Sequence, residues 1–403
     1  MGNKARGVFK EVRYKKETTW GVLNGPSGGT KLRRVTCDIN PTADVYSSNE
    51  INTTFQTIDS RLGVRGAEGS LNGELSPGSY SAFYGSVLAK DFASVTGASG
   101  VSVTIATSGT NFTITRASGS WLTDGIKVGH VVRMTGAGLN VANQSNNCLV
   151  ISMTALVLTV MVLSSTSLVA EGPIASVAVA PAGKVSYVPQ TGHTDDSYNI
   201  EEWYGDVLQS AVYTGMKVGT ANIQLPSTGM VTTDFSFMGK GLTSDGTTAY
   251  FTAPTGPSTT GLLTAVQGAL LLNGSNAACI TDASISIERA MEPAQCVGSN
   301  FNSEIFTGKI NVTGSVSAYF SDATMRDYFN DETEVAVVLV VTTSADKAAD
   351  FISFVMPRVK FNTFSNADAE NGIVSSLDYT ALMNSVTSAG LIDSTIMIQD
   401  SAA

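Results

Sequence analysis

The sequence predicts a mainly β protein: two tandem β repeats, each carrying one short helix, with a small all-β module inserted into the first. Three observations point there. The chain of 403 residues is 43% hydrophobic, only 14% charged, and holds 39 glycines, a balance that suits many short strands and turns. Residues 95–183 contain six short β-branched runs separated by Gly, Ser and Asn, with no helical period. Several blocks outside that module occur twice in the same order.

In chain order, residues 1–34 form a basic N-terminal arm ending in the turn-rich LNGPSGGTK. RRVTCDIN (33–40) reads as a strand. Residues 41–66 are polar and aperiodic and read as a long loop, of the kind that carries function. GSLNGELSPGSYSAFY (69–84) reads as a long strand broken near Pro77. In GSVLAKDF the period changes: Leu88 and Phe92 lie four apart and Ser86 stands where an N-cap belongs, so a short helix is expected. The module follows, and strands resume at AVYTGMKVGTANIQL (211–225) and GMVTTDFSFMGKG (229–241). DASISIER (282–289) and FTGKINVTGSVSAYF (306–320) are further strands. DATMRDYF is a second short helix, with Asp322 as N-cap and Met325 and Phe329 four apart. EVAVVLVVTT (334–343) is a buried strand, followed by DFISFVMPRVKF, GIVSSLDYTALM and STIMIQD.

The duplication rests on matched blocks: SYSAFY (79–84) with SVSAYF (315–320), RRVTCDIN with DASISIER, and GMVTTDFSFM (229–238) with GIVSSLDYTALM (372–383). The last pair sets Asp234 against Asp378. The first repeat is placed at 35–94 plus 184–260, the module at 95–183, and the second repeat at 262–403.

Charge is uneven. Residues 1–34 carry nine Lys/Arg and two acids, a net of +7, while the remainder carries −17. A basic arm on an acidic body suits docking onto another copy better than wrapping nucleic acid. No apolar run near residue 1 resembles a secretory signal. The most apolar stretch, CLVISMTALVLTVMVL (148–163), is shorter than the roughly 20 residues of a membrane helix and reads as a hairpin. The cysteines Cys37, Cys148, Cys279 and Cys296 are far apart and read as buried, reduced thiols.

The second repeat resembles the tail tube proteins of long-tailed bacteriophages, in FTGKINVTGSVSAYF, TMRDYF, MPRVKFNTF and NGIVSSLDYTALM; the N-terminal YKKETTWGVLN resembles their opening. The resemblance implies a β-sandwich or half-barrel with one flanking helix in each repeat. It also implies assembly into rings, commonly of six tube domains, stacked into a hollow tube through which DNA passes. A duplicated chain would make such a ring from three copies. Expected partners are then other copies of the chain, tape-measure and terminator proteins of the tail, and genomic DNA passing without specific binding, with no membrane. The expected location is the virion tail, after assembly in the host cytoplasm.

Within that picture, Lys10, Arg13, Lys15 and Lys16, with the 41–66 loop, are the candidates for docking one ring on the next. The candidates for the channel lining are Asp234 and Asp378 together with Asn311, Thr313, Ser315 and Ser317. The last four alternate with Ile310, Val312 and Val316, so they share one face of a strand. Lys309 falls in line with them and is the one base in that lane. The module is expected to decorate the outer wall, to touch cell-surface glycans, and to be removable.

No catalytic, cofactor or metal motif is present in the sequence: there is no GxSxG, P-loop, HExxH or CxxC pattern. His130 and His193 read as structural, Asp195-Asp196 as a solvated turn, and Glu201-Glu202 as a strand or turn pair without an evident partner. Two other classes remain open. A bacterial outer-membrane or surface β protein fits the alternating strands but lacks a signal and an aromatic C-terminus. A glycan-acting enzyme would need two carboxylates brought together by folding.

Overall fold

A computed structural model describes residues 4–276, 279–367, 372–385 and 390–403. Its strands and two α-helices, α1 (Ser81–Val87) and α2 (Thr324–Asn330), make a mainly β protein. The same connectivity is written twice. In the first half a hairpin (Thr36–Ser47 with Ser60–Glu74) passes through α1 and leads, after the module, to Tyr198–Tyr204, Gln209–Pro226 and Thr232–Gly239. In the second half a hairpin (Ile280–Ala294 with Glu304–Tyr319) passes through α2 to Val335–Thr342, Phe351–Phe361 and Val374–Ala381. In each half the last of these strands lies antiparallel between the hairpin's second strand and the strand before it.

The halves join edge to edge. Residues 220–226 of Gln209–Pro226 pair antiparallel with 282–288 of Ile280–Ala294, so one sheet runs unbroken through both repeats. Its inward face is apolar because the strands alternate: Phe235, Ile223, Ile285, Val312 and Leu377 all lie in one core. Helix α1 is pressed into that core. Tyr14, Phe83, Tyr198, Phe235 and Phe237 pack there with ring centroids 5.0–5.8 Å apart.

The helix lies earlier than the sequence reading placed it. It starts at Ser81, after the Pro77-Gly78 turn, and Leu88 is its C-cap. Phe83/Val87 and Tyr84/Leu88 are its i, i+4 pairs, and all four are buried. Consequently SYSAFY is helical while SVSAYF closes a strand, and the two are not equivalent places in the fold. The strand match between RRVTCDIN and DASISIER holds with a one-residue slip, since Cys37 and Ile39 point inward as Ile285 and Ile287 do.

Two further expectations are corrected. The 41–66 loop is mostly hairpin, with strand pairing from Thr36–Glu74 outward and only 48–59 left between the strands. The N-terminal arm is not free: Lys10–Lys16 is a strand paired along its length with Tyr198–Tyr204. The second repeat has the same feature, with Gly268–Leu272 paired to Val335–Thr342. Each of these strands follows a short 3-10 turn, Gly7–Phe9 and Ala265–Gln267.

The six strands between Ala98 and Pro181 close into a barrel around Trp121, Ile114, Leu158 and Val179. CLVISMTALVLTVMVL is a hairpin within it. The barrel is not a loose appendage. Val131 and Leu149 share a core with Val338, Phe351, Val355 and Met397 of the second repeat. Buried Gln399 ties it further: its side chain donates to the Val131 and Ala182 carbonyls at 2.9 and 2.7 Å and accepts from the Val131 amide at 2.8 Å.

Candidate functional site

The candidate lining residues converge on one surface. Reading across the sheet, one row runs Thr36, Asn72, Asp234, Asn222, Ser286, Thr313 and Thr380. The adjacent row runs Glu74, Thr232, Gln224, Ser284, Ser315 and Asp378. The row on the other side runs Asp38, Ser70, Ser236, Thr220, Glu288 and Asn311. Directly paired residues point to the same side of a sheet, so all these side chains share the face opposite the core. Ser317 extends it, opposite Asp282 and Ser376. Asp234, Asp378, Asn311, Thr313, Ser315 and Ser317 are therefore neighbours on one surface, although they come from both repeats.

That surface carries Asp38, Glu74, Asp234, Asp282, Glu288 and Asp378; the first row continues beyond Thr380 to Lys360, a lysine at the edge of the sheet whose ammonium lies 3.2 Å from Glu332. Lys309 is exposed just outside the rows, where a register shift between Ile310 and Thr307 interrupts the ladder. Hydroxyls are linked across strands: Ser284 to Ser315 at 2.8 Å, Ser317 to Ser376 at 3.0 Å, and Thr220 to Ser236 at 2.8 Å. Thr363 donates to Asp378 at 2.9 Å. Partial burial pushes the Asp234 carboxyl up from its ordinary value, and the nearby Asp38 charge pushes the same way, against the Asn222 hydrogen bond. Burial also raises Asp282.

The four stacking candidates are occupied within the chain. Arg13 is buried, with its guanidinium 3.5 Å from Glu201 and 2.6 Å from Glu11. Lys10 lies 2.8 Å from Glu202, and Lys16 lies 2.7 Å from Asp196 and 2.9 Å from Asp91. Lys15 donates to the carbonyls of Gly25 and Ser27. For these four residues the charge is thus met inside one copy. Glu201 and Glu202, without evident partners in the sequence, are the buried acceptors that hold the N-terminal strand. Glu201 also accepts from the Phe251 amide at 3.1 Å and the Ser210 hydroxyl at 2.7 Å, and Glu202 from the Ile39 amide at 3.2 Å and the Tyr204 hydroxyl at 2.8 Å. The sequence signal was KEVRYKK, in which Val12 and Tyr14 alternate with charged neighbours as an edge strand does.

Asp195 is likewise no free turn. It lies 2.6 Å from buried Lys217 and 3.3 Å from Arg289, and Lys217 also reaches Glu304 at 3.0 Å, which ties the repeats together. His130 is fully buried at the seam between barrel and body, and burial with the nearby Lys127 charge lowers its pKa to about 3. Cys37 and Cys148 are buried, and burial pushes both thiols up to about 12. Cys279 and Cys296 are exposed, contrary to expectation. Among the described residues no group of three His, Cys, Asp or Glu could hold a metal ion, and no helix is long and apolar enough to cross a membrane.

The chain is thus a two-repeat β protein with one polar, acidic sheet face and open sheet edges. The family model for the phage tail tube protein matches residues 10–381, from the N-terminal edge strand through the last strand of the polar sheet. The chain belongs to the phage tail tube protein family, and it is a structural component of the virion tail. That family is structural rather than enzymatic. No curated protein sequence matches the chain.

Proposed function

We propose that copies of this chain close into rings, three chains giving six wall units, and that the rings stack into a hollow tube conducting the genome during ejection. The wall units are 35–94 plus 184–260 and 262–403, each with its N-terminal edge strand, and 95–183 is a module fixed to the wall. The observation that carries this is the continuous sheet whose outward face is polar and acidic across both repeats. A sheet with open edges recruits neighbours, and ring closure removes the edges. A face rich in carboxylates and hydroxyls, with Lys360 at its edge held by Glu332, gives DNA few counterion-releasing contacts. Such a lining lets a charged polymer slide. Asp234 and Asp378 then face the channel. Replacing both by Lys should leave tubes intact and slow genome ejection; ejection at the normal rate would reject this orientation.

Ring-on-ring contact moves from the arm to the hairpin end. Val45, Tyr46, Ile51, Phe55, Ile58 and Leu62 are exposed there, an apolar group suited to burial against the next ring. Stacking is heterologous and so gives an open filament. Assembly proceeds in the host cytoplasm, with tape-measure and terminator proteins setting and ending the tube.

A further inference from the structure

The junction between the two repeats is a template for the junction between two copies. Asp234 and Asp378 occupy equivalent strands. Asn72 opposite Asp234 therefore matches Ser315 opposite Asp378, and one strand further out Thr36 matches Ser284. Two residues along, Asp38 matches Ser286. On the other side Asn222, opposite Asp234, matches Asn362, whose amide donates to the Asp378 carbonyl at 2.8 Å. Within the chain Asn222 pairs with Ser286, and the two side chains meet at 2.6 Å. The matching edges are the outer side of 360–367, whose inner side pairs with Val374–Ala381, and the outer side of Thr36–Ser47. Neither outer side has a strand partner among the described residues, although on the second the Ile39 amide donates to Glu202 and the Cys37 carbonyl accepts from Lys10. They sit at opposite ends of the sheet and are unlike, as a head-to-tail ring requires.

Two independent observations mark the same two surfaces. Helix α1 has five buried residues, whereas α2 has none: Met325, Tyr328 and Phe329 pack on the core but stay half-buried. Helix α1 is covered partly by the second repeat: buried Arg289 donates to the Ser86 carbonyl at 3.1 Å. Among the described residues no equivalent side chain of another repeat covers α2. Conversely, a groove of about 830 Å³ lies open beside Thr36–Ser47, lined by Val8, Val12, Leu32 and Val35 and rimmed by Lys31 and Arg34. Its counterpart beside Ile280–Ala294, lined by Gly268, Leu270 and Ile280 and also by Leu225 and Ser227 of the first repeat, measures about 260 Å³. The net charges are opposite: α2 and its flanks carry Asp322, Asp327 and Asp331 beside Arg326, and the groove carries Lys10, Lys31 and Arg34 beside Glu11.

We propose that the 360–367 edge and α2 of one copy dock on the Thr36–Ser47 edge and its groove in a second copy, with Asn362 directly opposite Asp38. This deepens the ring reading above and rests on it. The occupant is a second copy of this chain, because the chain's own repeat already makes the equivalent contact.

The test is a cross-link in the full-length chain, with Cys279→Ser and Cys296→Ser removing the exposed thiols. Directly opposite residues of an antiparallel pair have Cβ atoms about 4.5–5.5 Å apart, near the disulfide range. Asn362→Cys with Asp38→Cys should, under mild oxidation, give a reducible ladder ending at three chains. Asn362→Cys with Ile39→Cys, whose second side chain points into the core, should give no ladder. In a separate arm, Phe329→Asp should abolish the ladder while the far-UV spectrum is retained, with the melting temperature of the monomer lowered because Phe329 also packs partly on its own core. Rings seen by electron microscopy without the Asp38 ladder, or a ladder of equal yield at Ile39, would overturn this docking and leave the tube reading standing. Assembly undisturbed by Phe329→Asp would overturn the role of α2. Monomers alone at every concentration would overturn the docking and the ring reading together.

Discussion

Arg13 shows what a buried charge does in this fold. It has little exposure, and its partners Glu201 and Glu11 belong to the same copy. Removing one member of such a pair leaves a buried carboxylate unpaired, at a cost of about 3–5 kcal/mol. Arg13→Glu should therefore lower the melting temperature by about 5 °C or more in a chain of this size, instead of yielding stable rings that fail to stack. Thermal unfolding of the isolated protein checks this; an unchanged melting temperature would return Arg13 to the docking surface. Asp234 makes the opposite prediction. Its folded pKa is raised, so the stability it contributes is fully present below the ordinary value of 3.8 and is lost as pH rises through the raised value. Asp234→Asn should be more stable than the parent at neutral pH, and the gap should close as the pH falls below 3.8. His130 runs the other way, since its folded pKa is depressed. The stability of its buried neutral form is present above 6.5 and is lost as pH falls from 6.5 toward about 3. His130→Gln should flatten that acid limb, read as melting temperature against pH.

At the scale of elements, the barrel was legible as six strands because β-branched runs punctuated by Gly and Asn leave little other reading. Its attachment was not. Val338 and Val355 look like ordinary core residues of a buried strand, and nothing in their spacing says that they share a core with Val131 and Leu149 some 200 positions away. Deleting 98–181 would uncover Leu271, Val338, Phe351 and Val355. At about 1.5–3 kcal/mol for each such side chain, the loss rivals the whole stability of a typical domain, about 5–15 kcal/mol. The deletion variant should aggregate or bind a hydrophobic dye; a soluble, assembling variant would show the barrel to be removable after all. Helix α1 was misplaced for a similar reason. SYSAFY alternates well enough to pass as strand, and the Asp400 carboxylate that receives the Gly78 amide and the Ser81 hydroxyl comes from the far end of the chain. The polar lane of Asn311, Thr313, Ser315 and Ser317 was legible from period-2 alternation alone, because Val312 and Val316 on the other side are buried.

For the whole molecule, duplication is the organising fact. Both repeats place an edge strand, a hairpin, a helix and three strands in one order, and the seam between them continues the sheet. The acids that shape the outward face could be named from the sequence one at a time, but their union on a single surface depends on the pairing of 220–226 with 282–288, which no local pattern specifies. The central claim is that this face lines a channel enclosed by copies of the chain. Electron microscopy of the purified, assembled protein tests it most directly. The account predicts hollow tubes built of three-chain rings, with Asp234 and Asp378 on the inner wall and the barrel outside. Tubes with those two residues on the outer surface, or a protein that stays monomeric at every concentration, would contradict it.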